Sequence, residues 1–201
     1  MSDKINPFEK KKQGVFFFKS SNPYEFYDLL NGKNMDDKQD VWGTLIFPEN
    51  AKKPCPLIIP IHGSAGLREG HHTHMVNLLD AGFAIFRIHH FESRGVISIV
   101  ENQTEVTLAS MITDAFRALT LVSKHPDVDS DKIGIMGWSL GGSTAFYAAW
   151  QPIIDTLSLR MAKSLLRIYL FILGHYLSPR IIVGQMLQCM FYLEKMMTIL
   201  L

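Results

Sequence analysis

Gly137-Trp138-Ser139-Leu140-Gly141 stands between a strand-like run, Lys132 to Met136, and a small-residue helix, Gly142 to Trp150. No other stretch of the chain narrows its possible folds as much. A serine held on a sharp strand-to-helix turn needs glycine on both sides, because a side chain there would strike the neighbouring strand or helix. The turn lifts the hydroxyl clear of the backbone, which makes Ser139 a candidate nucleophile. Gly-x-Ser-x-Gly also recurs in ordinary glycine-rich loops, and the flanking strand and helix are what set this copy apart.

The first 155 residues obey one pattern. Leu57 to His62 is a continuous apolar run that ends in Gly63-Ser64-Ala65-Gly66, a helix follows up to Ala81 with Gly82 as its stop, and Phe83 to Ile88 is a second apolar run. Asn102 with Glu105 reads as a capping box. Leu108, Ile112, Ala115, Leu119 and Val122 then recur at spacings of four and three on one helical face. That helix ends near His125-Pro126, and Ile133 to Met136 enters the turn. Upstream, Val15 to Lys19 and Val41 to Phe47 read as an edge hairpin with a long connection. Apolar strands alternating with helices predict a doubly wound, mostly parallel α/β sheet covered on both faces.

With 201 residues, 47% hydrophobic and 19% charged, the chain suits a single domain. A net charge of +1 gives no broad basic or acidic surface, so nucleic acid and anionic membranes are not expected as partners and small molecules are. Cys55 and Cys189 form neither a disulfide framework nor a metal motif. Met1 to Gln13 is polar and lysine-rich, so a cytoplasmic location is expected. His71, His72 and His74 lie near Glu69, but adjacent histidines on a helix point to different faces, which favours a solvated helix start over a metal site. His89 and His90 close a strand and read as packing. No metal or cofactor is expected.

A serine nucleophile needs a histidine base, a carboxylate to orient that base, and N–H groups to hold the oxyanion. The oxyanion donors are expected at Leu140 and in the loop beginning His62-Gly63-Ser64, with Gly63 and Ser64 as the positions; the plainer alternative is a strand-ending turn. His62 to Gly66, Phe91-Glu92-Ser93-Arg94-Gly95-Val96, Asp114 with Ala118 and Leu119, and Ile133 to Gly142 together resemble the dienelactone hydrolase family of the α/β-hydrolase fold over about residues 40–155. The resemblance implies hydrolysis of a small ester or lactone through an acyl-Ser139 intermediate. Arg94 either steers a substrate carboxylate by a bidentate contact or fixes its own loop.

The rest of the triad is not visible. The fold places the acid and then the histidine after later strands, yet downstream of Ser139 stand only Asp155, Glu194 and His175. Asp155 falls at the end of the helix after the turn, so a pairing with His175 does not suit the topology. Residues 1–156 are expected to be part of one α/β-hydrolase domain, and 157–201 an aberrant tail that leaves the strand before Ser139 unpaired on one side. The tail's apolar runs are interrupted by Arg167, His175, Arg180 and Glu194-Lys195, short of the roughly 20 residues a membrane span needs. Reading the third base of each codon with the first two of the next permits FAAHISLYP and then MYVLFGENDDY. The first resembles the family's next strand, and the second is an apolar strand leading into an acidic loop. Met196-Met197 and Met197-Thr198 must then each encode Asp. A one-base loss near the codons for Thr156 to Leu159 explains both strings. The chain as written is accordingly expected to be inactive, with an inert fragment or a binding protein as the second reading and a tail-anchored protein as the third.

Overall fold

The computed structural model describes residues 8, 11–160 and 169–173. Within it the apolar runs form strands whose alternate residues serve two separate cores. These are β3 (Cys55–Ile61), β4 (Ala84–Ile88) and β5 (Val128–Trp138). Leu57, Ile59 and Ile61, Ala84, Phe86 and Ile88, and Ile133 and Ile135 pack into one cluster. Ile58, Ile85, Met136 and Trp138 pack into the other. A strand's two-residue period leaves an apolar run no polar face, so both faces must be covered. On one side α2 (Glu69–Asp80) contributes Met75 and Leu78. On the other, α3 (Leu108–Val122), α4 (Leu140–Ala148) and α5 (Gln151–Arg160) contribute Ile112, Leu119, Ala145, Ile153 and Leu157, among others.

Three further strands, β1 (Gly14–Ser20), β2 (Gln39–Ile46) and β6 (Tyr169–Leu173), complete a sheet of order β1-β2-β4-β3-β5-β6. The pairs β1/β2 and β2/β4 are antiparallel, and the pairs joining β4, β3, β5 and β6 are parallel. The expected doubly wound, mostly parallel α/β architecture is therefore present. From β3 the chain crosses to β4 on one side, then recrosses to β5 on the other. The carboxyl ends of β3 and β5 thus flank a topological switch point, where open α/β sheets bind their ligands.

Four features differ from the sequence expectation. The connection from β1 to β2 holds a short helix, α1 (Phe26–Asn31), stopped by Gly32 at φ +70°. Six residues are too few for a periodic signal, and Asp28 stabilises the start by accepting from Tyr24 N (2.8 Å) and Asn34 Nδ2 (3.1 Å). Second, α3 begins later than the Asn102/Glu105 pair suggests. Those two bond to each other in the preceding turn, and Thr107 is the cap, its hydroxyl oxygen accepting from Ser110 N at 3.1 Å. Third, α5 runs unbroken through Leu157, which is fully buried. Fourth, β5 is not left unpaired: β6 lies parallel to it, Gly134 opposite Tyr169 through Trp138 opposite Leu173. The apolar run containing Tyr169–Leu173 supplies the strand. The other tail residues cited above, including His175, Cys189 and Glu194, lie outside the described residues.

Replacing Thr107 with alanine removes the cap of α3 and a 2.7 Å bond to Pro23 O. A loss of about 1 kcal/mol is expected in urea unfolding. An unchanged midpoint would instead assign the helix start to the earlier pair. Among the described residues no helix is long and apolar enough to cross a membrane, and no group of three or more His, Cys, Asp and Glu could hold a metal ion.

Candidate active site

Ser139 sits between β5 and α4 with φ +52° and ψ −118°. Such a backbone costs a non-glycine residue on the order of 1–3 kcal/mol and persists only where its surroundings enforce it. Here the enforcement is steric. A Cβ on Gly137 would lie 2.0 Å from the Gly141 carbonyl oxygen, and one on Gly141 would lie 2.0 Å from that of Ile61. Strand and helix therefore meet backbone to backbone, and Ser139 is exposed above the contact while Trp138 and Gly141 are buried. Leu140 opens α4, so its N–H belongs to the first turn, where no intrahelical acceptor exists and the helix dipole favours negative charge.

Trp138 is clamped from the α2 side. The His71 ring stacks on it with centroids 4.3 Å apart and 20° between planes, and His74 lies at 5.7 Å. His71 is buried, and its Nδ1 accepts from Arg68 N at 3.1 Å. The expectation of a solvated helix start is thus corrected: Glu69 and His72 are exposed, but His71 faces inward, because the residue before Ser139 is a tryptophan that needs covering.

The His62-Gly63-Ser64 loop leaves β3 directly beside this turn. A Cβ on Gly63 would lie 3.1 Å from Trp138 O, 3.2 Å from Ser139 Cβ and 3.8 Å from Ser139 Oγ. Both carbonyls of the loop are tied down. Gly63 O accepts from Gly66 N at 3.0 Å and lies 3.0 Å from His62 Nδ1. Ser64 O accepts from Ile99 N at 2.8 Å and from the Ser98 hydroxyl at 3.4 Å. A trans peptide holds its N–H opposite its carbonyl, so the Ser64 N–H points away from His62 and Gly66. Burial, with His90 beside it, pushes His62 down to about 4 and keeps the ring neutral at pH 7.

Behind the loop lies a buried ionic cluster centred on Asp114 of α3. Its carboxylate accepts from the Ser20 hydroxyl (2.5 Å), His90 Nδ1 (2.8 Å), Arg94 Nη1 (2.8 Å) and Arg94 Nη2 (3.1 Å). Arg94 also donates from Nη1 to His90 O at 2.8 Å and from Nε to Asn22 Oδ1 at 2.9 Å. Burial opposes a charged carboxylate, but the Arg94 guanidinium and the His90 bond prevail and hold Asp114 below the usual aspartate range. Nearby, burial likewise opposes charge on Glu92, yet bonding from His89 and the charge of Arg87 hold it at about 2.

The structure thus brings together Ser139, Leu140, Gly63 and Ser64, and engages Arg94 with Asp114 one layer behind them. Asp155 is exposed on α5, its Oδ1 accepting from Gln151 Nε2 at 2.7 Å. Among the described residues no side chain hydrogen-bonds to the Ser139 hydroxyl.

Several solved structures align with part of this chain. Est1E from Butyrivibrio proteoclasticus aligns at 22% identity over 68% of this chain and 45% of its own, with a TM-score of 0.49. A dienelactone hydrolase-like promiscuous phosphotriesterase from metagenomic libraries aligns at 14% identity, 81% and 82% coverage and a TM-score of 0.47. A bacterial heroin esterase aligns at 17% identity, 69% and 40% coverage and a TM-score of 0.44. The chain spans about half the length of the first solved structures it matches. No curated protein matches it. The BD-FAE family model, an esterase-type α/β-hydrolase domain, matches residues 44–163, more than half of the chain, and the protein belongs to that family.

Proposed function

We propose that Ser139 is the nucleophile of a hydrolase for small esters or lactones, acylated by the substrate and released by water. The observation that carries this reading is the strained serine held beside Gly63 at the sheet's switch point. In this reading the Leu140 N–H and an N–H of Gly63 or Ser64 receive the oxyanion as the carbonyl becomes tetrahedral. Because every nitrogen of Arg94 is engaged with Asp114, His90 or Asn22, its role is to fix the loop, and substrate recognition falls elsewhere. A cytoplasmic location and a small-molecule partner belong to the same reading.

The chain as written is a poor catalyst in this reading, because no described histidine reaches Ser139 and Asp155 is engaged on an exposed helix. The tail is then the product of a one-base loss near the codons for Thr156 to Leu159, with residues 1–156 as the original domain's first part. In the restored frame FAAHISLYP covers the codons that here encode β6, and the acidic loop follows.

The test is fluorophosphonate labelling and hydrolysis of p-nitrophenyl acetate by the full chain, beside Ser139→Ala. Turnover no faster than that of the variant is expected, with labelling that is slow but confined to Ser139. Ser139-dependent turnover would refute the missing-base part, and labelling equal in both proteins would refute the nucleophile. For the tail, the gene read past the Leu201 codon in the other frame should encode a histidine about 30 residues beyond the acidic loop, by analogy with the fold. A stop codon inside the tail in that frame removes the frame-loss explanation.

A further inference from the structure

Two ring nitrogens behind the Gly63 loop have no hydrogen-bond partner among the described residues: His62 Nε2 and His90 Nε2, both buried. The rings meet edge to face at 80°, with centroids 5.7 Å apart, and Phe91 packs on His62 at 4.4 Å. The other nitrogen of each ring fixes its tautomer. His90 Nδ1 lies 2.8 Å from the Asp114 carboxylate and His62 Nδ1 lies 3.0 Å from Gly63 O. An ionised carboxylate and a carbonyl only accept, so both Nδ1 atoms carry a proton, and in the neutral rings both Nε2 atoms present bare lone pairs. Two lone pairs cannot bond to each other.

A buried acceptor left without a donor loses stability comparable to its desolvation, so a donor to both nitrogens is called for. Protonating His62 would provide one, but burial pushes that ring down to about 4. A metal ion would use both lone pairs, yet among the described residues no third ligand stands near enough to build a set, and structural sites for zinc take four. Water carries two donor hydrogens on one atom. Two hydrogen bonds of about 2.8 Å from one oxygen reach atoms up to about 5.6 Å apart, the scale of the 5.7 Å between these ring centroids, and waters satisfying buried polar groups are ordinary parts of folded proteins.

We propose that His62 Nε2 and His90 Nε2 together bind a single buried water molecule, which links the Asp114 ion-pair cluster to the loop that carries Gly63 and Ser64. Asp114 orients His90, the water donates to His90 and His62, and His62 holds the Gly63 carbonyl. His62 and His90 are then positioning residues for the loop. The site does not depend on whether Ser139 is acylated.

The test uses the full chain with 15N-labelled histidine, in long-range proton–nitrogen correlation spectra at pH 7. Both rings are expected as Nδ1–H tautomers, with each Nε2 shifted upfield from a bare imidazole nitrogen and ring protons showing cross-relaxation to one long-lived water. In His62→Phe, the His90 Nε2 resonance should move to the bare position; where that variant does not fold, the wild-type spectrum decides alone. Bare Nε2 positions or no water cross-peak in the wild type would overturn the proposal. So would an imidazolium pattern, which means a shared proton, or a spectrum altered by EDTA, which means a metal ion. Because the readout is ring nitrogens rather than turnover, this inference and the hydrolase reading fail separately.

Discussion

Gly137→Ala is expected to destabilise the protein by more than about 4 kcal/mol, or to prevent folding altogether, with Gly141→Ala behaving alike. Substitutions this costly come from a short set of causes, and here the cause is contact between two stretches of main chain. The new Cβ of Gly137→Ala would meet Gly141 O at 2.0 Å and Gly142 N at 2.5 Å. Neither atom belongs to a side chain that can rotate away, so β5 and α4 would have to separate and uncover the core around Ala145 and Ala148. The control is Gly70→Ala. Gly70 lies in α2 with nothing within 4 Å of its added Cβ, and alanine there should raise stability by about 0.5–1 kcal/mol through helix propensity. Urea melts of the three variants read the contrast. A Gly137→Ala protein melting within 1 kcal/mol of wild type, on the order of an ordinary surface change, would mean that strand and helix are not in backbone contact.

Asp114→Ala should cost about 3–5 kcal/mol, because it leaves the Arg94 guanidinium buried without its counter-charge. The Arg94 side chain is only 6% exposed and Asp114 is fully buried, so water cannot take the place of the carboxylate. The effect carries a pH signature. Asp114 is held below its ordinary value in the folded state, so its ionised form stabilises the protein above the unfolded pKa of about 3.9. That contribution is lost as pH falls through the folded pKa. Glu92, held at about 2, adds acid sensitivity of the same sign between about pH 4 and 2. The gap between wild type and Asp114→Ala should therefore be widest near pH 7 and narrow below the folded pKa of Asp114. Unfolding midpoints at pH 7 and at successively lower pH give the comparison. A gap independent of pH would show that the carboxylate contributes through shape and not through charge.

Local chemistry made the turn around Ser139 and the central strands readable in advance. A glycine-flanked serine and apolar runs of five or six residues carry their own structural meaning, and Gly82, at φ +90°, stops α2 where a glycine should. The features that sequence reading missed depend on partners far along the chain. Asp114 looks like one polar residue on an apolar helix; its meaning lies in Ser20, His90 and Arg94, reached only when three separate segments pack. Likewise His71 belongs to a histidine-rich helix start until Trp138 comes to rest against it. Sequence alone sets the start of α3 too early because Asn102 and Glu105 do interact, but in a turn just ahead of the helix.

The order of strands has a kinetic consequence. Gly63 follows β3 and Ser139 follows β5, and these neighbours in the sheet are separated along the chain by α2, β4 and α3. No hairpin or single crossover can assemble the two loops, so their meeting must await a pairing whose loop-closure entropy is large. Sites of this kind mature late. A chain halted before β5 docks would already contain much of its helix, yet Gly63 would have no Ser139 beside it.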